Sequence, residues 1–378
     1  MAERIRGAGQ VAWAIVGIVA LLAVVGGAAW FVRIIWPPLL LAGALVFVLH
    51  PLVTGLQHRG VPRALGTGLT YLAILGVLVL GGLLVQPLVV DQADQLADEW
   101  PEIEADLKDF VDDLSEQSRG WPVQVPTYDE IQEELDGTDE QTSFSETVDR
   151  VRDIGGRIFH VALIVILAPI VAFYLLVDLP RLGQVMTSLL PDRSRDEILH
   201  VGHRLSRAIG GFFRGQLLVA LIVGVLVSIG LAVVGLDFWL LVGMVAGIFT
   251  IVPLIGPWVG GIPAVAIALT TQDVRTAIVA ALIMVGVQQL DNHFISPLVM
   301  QRAVSLHPAA VLLALLAGGS LGGFFGLLMA VPVAAVLKIL AGHLWRTYVL
   351  GEPWEAAIAQ AEAHEERAPG LVEDVVDL

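Results

Sequence analysis

What most constrains this chain is a succession of apolar runs of roughly bilayer-crossing length. A helix needs about 20 predominantly apolar residues to cross a hydrocarbon core of about 30 Å. Such runs recur at Val11–Val32, Ile34–Val53, Ala64–Val90, Ile158–Val177, Leu217–Leu236, Phe238–Thr271, Thr276–Leu290 and Pro308–Leu340. A soluble domain is about 45–50% apolar, whereas this chain is 56% apolar with a mean hydropathy of +0.79. The expectation is an all-α polytopic membrane protein with about eight transmembrane segments, some of them broken or re-entrant, and a small acidic helical extracytoplasmic domain. The first run follows Arg4 and Arg6 and is too long for the core of a signal peptide, so it reads as a retained span. Cysteine is absent, which excludes disulfides and thiol chemistry.

Charge divides the chain. Residues 91–150 hold 20 Asp and Glu against Lys108, Arg119 and Arg150, so the net charge of −16 lies in this one segment. The organisation expected is three spans in 1–90, an acidic extracytoplasmic helical segment in 91–157, a core transport region in 158–351 and an acidic cytoplasmic tail in 352–378. Within 91–150 the apolar positions Leu96, Trp100, Ile103, Leu107, Phe110, Val111 and Leu114 recur at helical steps. The prolines at 122 and 126 break that pattern, and a second short helix carrying Ile131 and Leu135 is expected beyond them. The acidic face reads either as a vestibule that concentrates cations or as a plain solvated surface. Arg4, Arg6, His58, Arg59 and Arg63 place the N-terminus and the turn after the second span in the cytoplasm. The fourth span then returns inside at Asp178. Between Arg181 and Arg214 six arginines oppose three acids, and Ile198, Val201, Leu205, Ile209 and Phe212 form one stripe. This basic amphipathic stretch, 181–215, is expected to lie in the cytoplasmic membrane interface. With membrane on both sides of it, no nucleic-acid partner is expected.

The segment Phe238–Thr271 is too long for one crossing, since 34 residues of helix measure roughly 50 Å. It is also interrupted, by Pro253, Gly256, Pro257, Gly260, Gly261 and Pro263. Irregular backbone at membrane depth is tolerated only where it is buried in protein or lines a wet cavity, and there its free N–H and C=O groups can bind ions or polar solutes. Two further segments are disrupted: 276–300, with polar groups at Gln288–His293, and 308–345, with five glycines between Gly318 and Gly326, Pro332, and Lys338 in apolar surroundings. Three disrupted segments in one half of a chain point to a transport pathway.

At these residues the sequence resembles the autoinducer-2 exporter family of bacterial transporters, the PerM-type permeases. The resemblance is carried by IVPLIGPWVGGIPAVAIAL, QQLDNHFISPLVMQRAVSLHP and ALLAGGSLGGFFGLLMAVPVAAVLK, and upstream by FYLLVDLPRLGQ, LLPDRSRDE and FFRGQLL, with Asp178, Pro191, Gly215 and Gln216 in place. It covers nearly the whole chain, the acidic segment least. It implies about eight membrane segments, an extracytoplasmic domain after the third, and a homo-oligomer, a pentamer among the possibilities. Members of the family are linked to export of autoinducer-2 and, in other cases, to exchange of sodium or lithium for protons.

Eight residues are the candidates for the transport pathway or for ion and substrate binding. Asp291 adjoins an apolar run, where a carboxylate costs at least about 2.5 kcal/mol at membrane depth. It reads as a cation or proton site with Gln288, Asn292 and His293 as neutral partners, or else as an interfacial helix cap. Pro253, Gly256 and Pro257 form either a gate or a packing kink. Arg214 and Gln216 either hold substrate or are structural, with Arg214 paired to Asp178. Lys338 reads as a snorkelling anchor. The glycines from Gly318 to Gly326 read as a close-packing surface, or less simply as a hinge. The histidines lack metal-ligand spacing, so no metal and no cofactor are expected. The chain has no GxxxxGK[ST] loop, HExxH pair or nucleophile elbow, which argues against ATP-driven transport and against an enzyme. The function expected is a secondary transporter or facilitator of the bacterial inner membrane that exports a small polar solute. The alternatives are a Na+(Li+)/H+ antiporter and a non-transporting scaffold, and the partners expected are the lipid bilayer, a small-molecule or cation substrate and further copies of the chain.

Overall fold

The computed structural model describes residues 35–118, 126–130, 144–253, 255–300 and 306–356. The span expected at Val11–Val32, the short helix expected around Ile131 and Leu135, and nearly all of the acidic tail lie outside these residues. Among the described residues every regular element is helical. Six helices are long and apolar enough to cross a membrane, and two more are apolar but shorter.

The first body is built from α1 (Trp36–His58) and parts of two long helices, α2 (Arg63–Ser118) and α3 (Phe144–Ser188). Two prolines in its first turn start α1, where the missing N–H groups cost nothing. The chain reverses at Gly60, whose φ of 87° suits glycine. Ala42, Val46, Leu49 and Val53 of α1 pack on Ala168, Ala172 and Leu176 of α3, with Tyr71 and Ile74 of α2 closing the cluster. Tyr71 donates to the Pro169 carbonyl at 2.8 Å and Arg63 Nε to the Leu176 carbonyl at 2.6 Å, which sets α2 antiparallel to α3.

With 56 residues, α2 measures roughly 84 Å and carries the apolar run into the acidic segment as one helix, through Pro87 and Pro101. Its far end docks on the second body, where Ile103 is buried and Leu96 packs beside it. Between its two docking regions every residue from Val77 to Leu84 is exposed. These two turns form a bare helical bridge.

The second body is organised by α4 (Arg195–Val234). The basic stretch expected to lie along the interface, 181–215, is divided here: 181–188 end α3 and 195–215 form the first part of α4. No proline falls between Arg195 and Val234, so nothing breaks the helix between the amphipathic stretch and the span, and Gly235 ends it with φ 74°. α5 (Trp239–Phe249) and α6 (Gly256–Thr271) follow, then α7 (Val274–Leu290), a wide π turn over Asp291–Ile295, α8 (Ser296–Met300) and α9 (Pro308–Leu344). α4 and α5 touch backbone to backbone: a Cβ on Gly247 would lie 2.9 Å from the Gly224 Cα, and one on Gly243 would lie 2.9 Å from the Ser228 Cα. Without a hydrophobic drive between helices in lipid, such small-residue seams let dispersion contacts hold them together.

The segment expected to be a broken span is a helical hairpin. Gln272, after α6, donates from Nε2 to the Gly235 carbonyl at 2.7 Å, so the chain returns to the level at which it left α4. Gly260 of α6 has no room for a side chain against Ala246 of α5, as two antiparallel arms require. α9 reverses in the same way. At Gly323 φ is 54° and ψ −137°, which interrupts the helix, and a Cβ on Gly326 would fall 2.7 Å from the carbonyl carbon of Gly318. In a straight helix those residues lie about 12 Å apart. The glycine run is therefore the seam of a second hairpin. Its returning arm is tied to the other end of α4, where His343 Nε2 lies 2.8 Å from Glu197 Oε1. The two hairpins enter the helical body from opposite ends of α4.

Candidate functional site

The tip of the α5–α6 hairpin, Thr250–Pro257, meets α4, the end of α7 and both arms of α9 around a cleft of about 180 Å³. Its polar wall is Gln216, Thr250, Gln288, Asp291, Asn292 and Ser296. Pro253 and Pro257 supply the tip, and Phe212, Leu306, Val311 and Val331 are the apolar floor. A cleft below the roughly 300–1,000 Å³ of pockets for drug-sized ligands suits a small solute or an ion with a few waters.

Each polar group arrives for a local reason. Pro253 and Pro257 cannot extend a helix, so the chain turns between α5 and α6. Gln216, 5% exposed, then reaches across from α4 and donates to the Thr250 carbonyl. The Thr250 hydroxyl donates back to the Ala246 carbonyl at 2.7 Å, which satisfies it locally. Asp291, 7% exposed, follows the last residue of α7 and begins the π turn. Such turns widen the helix and recur at functional sites. Here the turn brings Ser296, five residues on, to donate to Asp291 Oδ1 at 2.7 Å. Gln288 donates to Asn292 Oδ1 at 2.9 Å, which leaves the Asn292 amide nitrogen for a ligand. The wall thus presents one carboxylate and several amide dipoles, an arrangement suited to hydroxyl groups or a cation.

Of the eight candidates, the structure gathers Gln216, Pro253, Pro257, Gln288, Asp291 and Asn292 on this cleft. Gly256 sits behind it, where a Cβ would press on Thr250, 2.8 Å from its Cα. Arg214 is on another face of α4: its Nη1 donates to the Phe47 carbonyl of α1 at 2.8 Å, and it makes no pair with Asp178. His293 is not a partner of Asp291; it is exposed and bonds its own helix at Gln289. Asp291 stands at the C-cap of α7 and is buried there. Thr250 and Ser296 were missed because each reaches the cleft through non-helical geometry, a hairpin tip and a π turn, that residue spacing does not announce.

A polytopic helical protein whose re-entrant hairpins enclose a polar cleft has the build of a membrane transporter or permease. Comparison with known proteins gives the family. The profile described as AI-2E family transporter matches residues 18–346, and the chain belongs to that family. It is 32% identical over 318 residues to the Bacillus subtilis "Putative transport protein YueF", covering 82% of this chain and 84% of that protein. It is 32% identical to the Mycobacterium tuberculosis "Putative transport protein MT0215", over 80% and 81% of the two chains. The Escherichia coli K12 "Putative permease PerM" is 26% identical over 82% of this chain and 86% of its own.

Proposed function

We propose that the protein is a secondary transporter or facilitator of the bacterial inner membrane that moves a small polar solute through the cleft at Asp291. The observation that carries this reading is the convergence of Gln216 from α4 with Gln288, Asp291 and Asn292 from the end of α7 and its π turn, and with a hairpin tip, on one cleft of about 180 Å³. A buried carboxylate beside an apolar run is costly, which favours a role in binding. Export of an autoinducer-2-like hydroxylated signal fits the amide-rich wall and the family resemblance. The arginine-bearing ends of α3 and α4 face the cytoplasm, where basic residues are retained. The eight candidate residues divide accordingly: Asp291, Gln216, Gln288 and Asn292 bind, Pro253 and Pro257 shape the tip, Gly256 lets it close, and Arg214 acts outside the cleft.

Transport requires the cleft to be exposed alternately to the two sides, and the two hairpins, entering from opposite ends, are the elements placed to open it. The test is flux in sealed vesicles containing purified protein: uptake of radiolabelled three- to six-carbon polyols and hydroxyketones, with an internal pH dye followed in parallel during additions of Na+, Li+ or K+. Saturable uptake of one solute, abolished in Gln216→Ala and reduced in Asp291→Asn, is the expected result. A cation-specific pH change lost in Asp291→Asn would replace this reading with a Na+(Li+)/H+ antiporter. No flux of any kind from well-folded protein would overturn transport through this cleft.

A further inference from the structure

Outside the cleft, three basic side chains gather where α1, α2 and α4 meet. Arg63 donates from Nε to the Leu176 carbonyl at 2.6 Å and from Nη1 to Gln57 at 2.9 Å, while its enclosed Nη2 has no acceptor. Arg214 uses Nη1 on the Phe47 carbonyl. His50, one turn from Phe47 on α1, lies within the field of both guanidinium groups, with its Nε2 3.3 Å from the Thr54 hydroxyl. Neither Arg63 nor Arg214 has a carboxylate within ion-pair distance among the described residues. Two guanidinium groups on a membrane protein, bonded only to backbone carbonyls and an amide, leave their charge uncompensated. An enclosed donor without an acceptor points to a partner that is not protein.

We propose that Arg63, His50 and Arg214 form a binding site for the phosphate of an anionic phospholipid. Basic pockets between membrane helices on the cytoplasmic side are suited to such headgroups, because the leaflet there carries the negative charge. The planar guanidinium can give two parallel N–H groups to one phosphate. Below Arg63, the exposed Leu65, Leu69 and Leu72 run along α2 and offer an apolar track for the acyl chains, a track that a soluble anion would leave empty. The lipid would bridge α1 and α2 of the first body to α4 of the second, away from the transport cleft.

The test uses the full-length protein in mild detergent, measured by native mass spectrometry and by thermal unfolding with phosphatidylglycerol or phosphatidylcholine added. Wild type should retain phosphatidylglycerol in preference to phosphatidylcholine and gain thermal stability from it. At roughly five-fold per basic group near an anionic headgroup, the R63Q/R214Q double variant should lose about thirty-fold in that preference, and R63K/R214K should keep most of it. Because Arg63 also ties α2 to α3, the single variant R214Q is measured alongside and should lose about five-fold with an unchanged elution profile. R181Q/R193Q removes two exposed arginines of the same membrane side and should change nothing. Equal retention of the two lipids by wild type, an equal loss in R181Q/R193Q, or displacement of the lipid by millimolar inorganic phosphate would each overturn the proposal, the last by making the ligand a free anion.

Discussion

The α9 hairpin depends on a seam with no space for one methyl group, and that can be tested at two glycines of the same element. A Cβ on Gly326 would overlap the carbonyl oxygen of Gly318 and lie 2.7 Å from its carbonyl carbon, where ordinary contact begins at 3.4 Å, so Gly326→Ala must push the arms well apart. Overpacking of this kind costs about 1–3 kcal/mol. Gly322 is its control: nothing lies within 4 Å of a Cβ there, and alanine suits a helix better than glycine by up to about 1 kcal/mol. That gain is common to both variants, so Gly326→Ala should unfold about 2–12 °C below Gly322→Ala, taking about 2–4 °C per kcal/mol. The assay is thermal unfolding of the two variants and wild type in one detergent, followed by intrinsic fluorescence and light scattering. Because Val311 and Val331 of the two arms line the cleft, solute uptake by Gly326→Ala should fall as well. Equal melting temperatures for the two variants would refute the seam, and with it the reversal of the chain at Gly323.

The acidic half of α2 holds the base of the first hairpin, because Gln92 Oε1 accepts the N–H groups of Leu240 at 3.2 Å and Leu241 at 3.3 Å, in the first turn of α5. Gln92→Leu removes that cap, worth about 1 kcal/mol, and hydrogen exchange at those two amides should quicken about five-fold while α7 is unaffected. Asp273 caps α7 by accepting the Thr276 N–H at 2.6 Å, and this bond holds its carboxyl below the usual carboxylate range. A lowered folded value means that the contribution is fully present above the ordinary Asp pKa of about 3.9 and is lost as pH falls through the lower folded value. Protection of the Thr276 amide, relative to its intrinsic exchange rate, should accordingly fall on acidification below about pH 4 in the wild type, and Asp273→Ala should lack that protection at every pH.

Apolar length and breaker residues carried much of the architecture in the sequence. Pro253 and Pro257 mark a place where the chain must leave the helix, and Asp291, Gln288 and Asn292 stand out because ionisable and amide groups are costly next to an apolar run. What the sequence left open was direction. A broken 34-residue segment reads equally well as an interrupted crossing or as a hairpin, and only the contact of Gly260 with Ala246 and of Gln272 with Gly235 decides it. Partners two residues apart were equally ambiguous: Gln216 reaches the cleft and Arg214 does not, because successive helical positions turn by about 100°. Asp291 and His293 separate in the same way. The glycines of α9 were legible as small residues at close-packing steps, but whether their partner was another helix or their own returning arm depends on the single non-helical residue Gly323.

The hairpins also bear on how the chain enters the membrane during synthesis. α5 has 11 residues, about 16 Å of helix, too short to be recognised and held as a span by itself. It can be admitted only together with α6, after α4 has presented Gly224 and Ser228 as the surface on which it lies. Each hairpin returns to the side from which it came, so it counts as zero crossings in the parity of the topology. α7 therefore runs back antiparallel to α4 as if the 34 residues between them were a loop, and the end of α9 comes out beside the start of α4 at Glu197.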